Sequence, residues 1–136
     1  MAGSSESYTL TDADLVWNRA CAGVCDDARP GDIALASLFQ LDGPAHNGGV
    51  LHALECLEPE ALQAALDGFA YFGLSEPIAV LKRAATAASS LSERELDDGD
   101  ADEALSAEYW VAAEGILEAF RQHYSAHAEQ FASIRS

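Results

Sequence analysis

The sequence predicts an all-α fold, a compact single-domain bundle of about six or more helices. Apolar residues recur at helical spacing along the chain, no segment sustains period-two alternation, and the breaks between apolar runs fall at proline, glycine and capping residues. Of the 136 residues, 49% are hydrophobic, enough for one core that buries roughly two-thirds of the unfolded surface. Residues 1–8 read as a flexible polar arm and residues 9–133 as the single domain.

Thr11 with Asp14 three positions on resembles a capping box, which places the start of the first helix just after Tyr8. Leu10, Trp17, Cys21, Val24 and Cys25 form its apolar stripe, and Arg29-Pro30-Gly31 ends it. Asp32 is the expected N-cap of a second helix, with Ile33, Leu35, Leu38 and Phe39 buried, broken at Asp42-Gly43-Pro44. His46-Asn47-Gly48-Gly49 reads as a turn, because Asn and Gly tolerate positive φ, and Val50, Leu51 and Leu54 open a short third helix. Pro59 and Glu60 start a fourth, with Leu62, Leu66, Phe69, Tyr71 and Phe72 inward and Gly73 past its end. Ser75 caps a fifth through Ile78, Leu81 and Ala85.

Residues 92–103 read SERELDDGDADE, which predicts an exposed acidic loop at about 92–104. Beyond it, Leu105, Tyr109, Ile116, Leu117, Phe120, Tyr124 and Phe131 fit one or two helices interrupted at Gly115.

Twenty-three acidic residues stand against seven Lys and Arg, for a formal net charge of −16. That sign repels nucleic-acid phosphates and anionic lipid and attracts basic proteins. A small domain commonly carries a net charge of roughly two to eight units, a range this chain exceeds, and the acid is read either as a binding surface or as a solubilising one. The acidic surface expected to bind a partner comprises Glu55, Glu58, Glu60, Asp97, Asp98, Asp100, Asp102, Glu103, Glu108, Glu114 and Glu118. Glu114 and Glu118, four apart on one helix, would repeat charge about 6 Å apart along its axis.

His46-Asn47-Gly48-Gly49-Val50 follows the apolar helix over 33–41 and precedes a helix ending near Tyr71-Phe72-Gly73. Together with Glu108-Tyr109-Trp110 and His127-Ala128-Glu129-Gln130-Phe131, this order resembles the DNA-mimic protein DMP19-like family, whose signature is Asn-Gly-Gly-Phe between an apolar and an aromatic helix. The resemblance spans roughly residues 17–131, with Val50 where the family prefers Phe and His52 near its usual Gln. It implies an all-helical fold, admits a homodimer, and points to an acidic surface that occupies the DNA-binding face of a transcription regulator. Asn47, Gly48 and Gly49 themselves read as a structural turn, since a phosphate loop needs further glycines and a lysine.

Cys21 with Cys25, and His123 with His127, each place two ligand-type residues at i, i+4. Structural zinc generally uses ligands on short turns, and a cysteine on an apolar stripe serves as a small core residue. The His pair lacks the Glu of H-E-x-x-H, and the same core reading covers His52 with Cys56. The expectation is therefore no metal and no cofactor. Acidic pairs such as Asp26-Asp27, Asp97-Asp98 and Asp102-Glu103 lie in charge-rich stretches, without the burial that separates catalytic pKa values, and no nucleophile elbow surrounds Ser89-Ser90. These features argue against an enzyme.

No basic n-region leads into an apolar stretch, no run reaches about 18 apolar residues, and three cysteines make no even disulfide framework. A cytoplasmic protein is expected. Its expected role is an acidic protein-binding domain that meets the basic face of a DNA-binding regulator. The alternatives are an immunity-type inhibitor of a basic toxin or nuclease, and a small metal-binding or hydrolytic protein using the Cys and His pairs. One consequence is testable at once: nuclease-free protein should leave DNA and RNA unshifted in a gel at physiological salt, and a salt-sensitive shift would contradict the charge argument.

Overall fold

A computed structural model describes residues 11–90 and 100–133. In chain order these form α1 (Asp12–Cys21), α2 (Pro30–Gly48), α3 (Val50–Cys56), α4 (Pro59–Tyr71), α5 (Ser75–Ser90), α6 (Asp100–Ala113) and α7 (Ile116–Ala126), then a 3-10 turn at Ala128–Gln130. No strand occurs among the described residues, and the bundle is all-α. The expected arm at 1–8 lies outside the described residues.

The capping box at α1 forms as its sequence suggests. The Asp14 amide donates to Thr11 Oγ1 (3.2 Å) and the Thr11 amide to Asp14 Oδ2 (3.0 Å). That backbone bond, more than any other influence, holds the Asp14 carboxyl below its ordinary range. The helix stops sooner than its apolar spacing suggests. Gly23 turns the chain at φ +122°, so Val24 and Cys25 leave the helical register and Val24 is 55% exposed. Cys21 is exposed too, and Val16, Ala20 and the partly buried Trp17 form the inward face.

Arg29-Pro30-Gly31 starts α2 and does not end α1. Asp32 is the third residue of α2, not its N-cap, and reaches back to accept from the Arg29 amide (3.0 Å). It is buried at 3% exposure, and also accepts from Arg19 Nη2 (2.8 Å) and the Ala132 amide (2.6 Å). Arg19 closes the junction by donating to the carbonyls of Ala132 (2.9 Å) and Ser133 (3.3 Å). Gly31 permits it: a Cβ there would lie 2.6 Å from the Phe131 ring and 2.8 Å from the Gln130 carbonyl oxygen.

The expected break at Asp42-Gly43-Pro44 does not occur, and α2 runs through Pro44 to Gly48. Gly43 has no Cβ to meet the proline ring, and the hydrogen bond that Pro44 cannot make would have gone to the carbonyl of exposed Gln40. Leu41 and Ala45, both fully buried, anchor the helix on either side. Ile33, expected inside, is 48% exposed, since two residues before Leu35 places it about 200° around the helix from that core position. Leu35, Leu38 and Leu41 carry the burial.

Helix α4 crosses α2 at Gly68, which sits against the Ala34 carbonyl with no room for a Cβ. Gly73 ends α4 at φ +73° and the Leu74 amide returns to the Phe69 carbonyl (2.9 Å). Ser75 is the first residue of α5, one position inside the expected boundary. Gly115 separates α6 from α7, as its place in the pattern suggests, while Leu117 is 40% exposed and Ile116 takes the inward position beside it. Phe120 packs on Trp17, Phe72 and Phe131 with ring centroids 5.4–6.2 Å apart.

Two polar atoms in that aromatic layer, Tyr71 Oη and His123 Nε2, are buried with no hydrogen-bond partner among the described residues. The His123 ring lies 4.6 Å from Tyr71, 5.4 Å from Phe72 and 4.8 Å from His127. Burial first, then the His127 charge, lowers its proton affinity against the opposing pull of Glu129.

Two outcomes follow in denaturation experiments. Asp32→Ala, which leaves two amides and the Arg19 guanidinium without their acceptor, and Arg19→Met, which leaves the buried Asp32 carboxylate without its counter-charge, should each lower the unfolding free energy by about 3–5 kcal/mol in urea. For His123, the folded value lies below the unfolded one, so its contribution is complete above the ordinary value near 6.5 and is lost as pH falls through the folded value. His123→Phe should therefore flatten the fall in melting temperature between about pH 8 and pH 5.

Candidate functional site

The predicted acidic residues divide into an outward set and an inward one. Glu55 on α3, Glu58 just before α4 and Glu60 in its first turn are exposed, as are Asp100, Glu103 and Glu108 on α6, Glu114 in the α6–α7 turn and Glu118 on α7. Helices α3 and α6 pack together, which makes Glu55 and Glu103 residues of neighbouring elements. Asp97 and Asp98 lie outside the described residues. The expected loop at 92–104 is corrected at its end: Asp100, Asp102 and Glu103 form the first turn of α6, where carboxylates favour the positive end of the helix dipole and buried Ser106 and Tyr109 anchor the turns that follow.

Three details change how this charge is presented. Asp102 faces inward and is partly buried. Glu108 forms a 2.6 Å ion pair with Arg83, so part of its charge is neutralised within the chain. Glu114 precedes the helix break, so it and Glu118 do not make the evenly spaced pair of a continuous helix; Glu118 instead accepts from Gln122 Nε2 (3.0 Å). Among the described residues, Arg19, Arg83 and Arg121 are paired with carboxylates.

The expected four-residue turn is one residue long. Asn47 and Gly48 complete α2, and only Gly49 takes a positive φ, at +92°. Asn47 is exposed and does not cap α3. That task falls to α6: Ser106 Oγ accepts from the Val50 amide (2.9 Å) and Asp102 Oδ1 from the Leu51 amide (2.8 Å). A Cβ on Gly49 would strike the Asp102 carboxylate, whereas one on Gly48 would meet the ring of exposed His52. The glycine pair thus serves packing, with Gly49 letting α6 seat against the start of α3.

Cys21 and Cys25 do not share a helical face, because α1 ends at Cys21. His123 and His127 do approach, but His127 is already past the last turn of α7 and pairs with Glu129 at 3.6 Å. Among the described residues no group of three or more His, Cys, Asp or Glu could hold a metal ion. Cys56 Sγ lies 3.4 Å from His52 Nε2 on α3, but both residues are exposed, so the core reading of this pair is corrected: α3 buries Val50 and Ala53 instead.

A second feature emerges only in three dimensions. Trp17 of α1, Asp42 and His46 of α2, Trp110 and Ala113 of α6, Glu114 of the turn, and Ile116 and Leu117 of α7 line an open cleft of about 370 Å³. Asp42 Oδ1 accepts from the Tyr109 hydroxyl (2.7 Å), and Oδ2 faces His46 Nε2 at 3.2 Å. The Tyr109 phenol is pushed far above its ordinary range, first by burial and then by the Asp42 charge, so it stays protonated and fixes the carboxylate. The His46 ring stacks on Trp110 at 4.5 Å and 25°. Cys21 senses the same charge: partial desolvation first, then Asp42, raises its thiol. Asp42 and His46 are an i, i+4 pair whose signal was hidden by the helix break expected at Pro44.

Compared with protein-family models, curated proteins and solved structures, this chain matches none. The site therefore stands on its own geometry: negative charge held rigidly beside aromatic faces on one side, and carboxylates open to solvent around α3, α4, α6 and α7. No described helix is long and apolar enough to cross a membrane.

The two glycines of the turn should separate cleanly. Gly49→Ala should cost roughly 1–3 kcal/mol in urea denaturation, from backbone strain and the Asp102 clash. Gly48→Ala, at a helical position beside a side chain free to swing away, should stay within about 1 kcal/mol of the parent.

Proposed function

We propose that the chain is an acidic protein-binding domain, a DNA-mimic-like regulator that occupies the basic face of a DNA-binding protein. The observation that carries this reading is the imbalance of the surface: a net charge of −16, with Arg19, Arg83 and Arg121 already committed to internal ion pairs and Glu55, Glu58, Glu60, Glu103, Glu114 and Glu118 exposed on rigid helices or at their ends. Such a field draws a basic partner in at long range and repels nucleic acid itself. Helices hold the carboxylates in fixed relation, which a solvating tail does not. A surface that normally receives phosphates offers Lys and Arg in matching density.

The test begins with affinity capture from native lysate at low and high salt, followed by competition on the captured protein. DNA should be displaced by this chain, and the complex should weaken steeply with salt. Glu55→Gln, Glu60→Gln and Glu118→Gln together should slow association about tenfold and flatten the salt dependence, while stability stays within about 0.5 kcal/mol. Full affinity and an unchanged salt slope in the triple variant would refute the reading. A captured nuclease in place of a regulator would redirect it to toxin immunity.

A further inference from the structure

We propose that the cleft formed by Trp17, Asp42, His46, Trp110 and Glu114 is a seat for an arginine side chain presented by a basic protein partner. The inference rests on the acidic-domain reading and names the contact through which that domain would gain specificity. Charge steering speeds the encounter but discriminates weakly between basic surfaces; a shaped pocket for one side chain supplies the register.

Four observations select the occupant. First, both tryptophans of the chain line this one cleft, and the indole face is the strongest aromatic partner for a cation. Second, Asp42 sits beside them with its carboxylate already aimed by the Tyr109 hydroxyl; a carboxylate has about four acceptor sites, and Tyr109 and His46 engage two. Third, Glu114 lines the same opening, is exposed, and adds a second negative group. Fourth, the volume of about 370 Å³ has room for a whole extended side chain, whose methylenes would lie against Ile116 and Leu117.

Guanidinium suits this arrangement better than ammonium. It is planar and weakly hydrated, so it can lie against the part of the Trp17 or Trp110 indole that the His46 ring leaves uncovered, while its edge N–H groups reach carboxylate oxygens. The stacked pair of His46 and Trp110, nearly parallel at 25°, already shows that a flat polar ring is stable on that indole. An ammonium would need to shed more water for fewer directed bonds.

The chain has two tryptophans, so the two indole N–H signals of the ¹⁵N-labelled full chain report on the cleft directly. N-acetyl-arginine amide is titrated at low ionic strength, with the acetylated amides of lysine and citrulline as the ammonium and neutral counterparts. Both indole signals should move to saturation with the arginine probe, move less with lysine, and stay near their starting positions with citrulline. Asp42→Asn should weaken binding about tenfold or more, the loss expected of a charge-assisted bond. Glu114→Gln, on an exposed turn, should weaken it several-fold without touching the Tyr109 contact, which keeps the test valid even if Asp42→Asn loosens the fold.

Unmoved indole signals, or equal shifts with citrulline, overturn the proposal. If they stay unmoved while a basic protein still binds with a steep salt slope, the cleft assignment falls and the acidic-domain reading survives. If the probe saturates the cleft but no salt-sensitive protein binding exists, the acidic-domain reading falls, and a partner-borne arginine falls with it.

Discussion

Asp32 carries one negative charge at 3% exposure, and burying a carboxylate is tolerable only when its charge is balanced and its acceptor sites are filled. The Arg19 guanidinium and the amides of Arg29 and Ala132 do both. The bonds come from α1, from the residue that opens α2 and from the segment after the 3-10 turn, so meeting the needs of one side chain brings the start and the end of the domain together. Once Ala132 is fixed, Phe131 is laid over Gly31 and packs edge-on against Phe120 of α7. That contact places α7, and with it Ile116 and Leu117 on one wall of the aromatic cleft.

Four aspartates are committed to bonds within the fold. Asp14, Asp32 and Asp102 accept from backbone amides, and Asp42 from the Tyr109 hydroxyl. The short aspartate arm suits bonds to the backbone close by. Glutamates 55, 58, 60, 103, 114 and 118 extend into solvent from helices or their ends. A chain with this much like charge repels itself when compact. Turning part of that charge inward as caps and junctions converts a liability into hydrogen bonds and leaves the remainder as an outward field.

That outward field and the cleft are complementary in range. The exposed carboxylates act over a Debye length of about 8 Å at physiological salt, whereas aromatic stacking and directed hydrogen bonds act only at contact. A domain of the proposed kind, choosing among basic surfaces, would need both. The cleft is also built from elements that the fold already holds in place: Trp17 through α1 and the Arg19 junction, Asp42 and His46 through the unbroken α2, and Trp110 through α6, which Asp102 and Ser106 tie to the start of α3.

What the sequence determined by itself is what depends on near neighbours. The all-helical class, the Thr11 capping box, Pro59 at the start of α4, Gly73 at its end and the interruption at Gly115 are set within one or two turns of chain, where periodicity, capping and φ preferences operate. The outward set of glutamates was legible for the same reason, since a lone long carboxylate on a helix has solvent as its default. Tertiary structure decided the rest. Asp32 read as a cap because two of its three partners lie 13 and 100 positions away, and Asp102 read as loop charge because the amide it caps is 51 positions away. Pro44 read as a break because the buried neighbours that carry α2 through it are invisible to local rules. The cleft could not be read at all: Tyr109 reaches Asp42 across 67 positions, and only the packing of α1, α2, α6 and α7 brings two tryptophans and two carboxylates to one opening. Pairings at that separation are chosen by the shape and charge of the whole core, because the entropy of closing such loops is recovered only when many contacts form together.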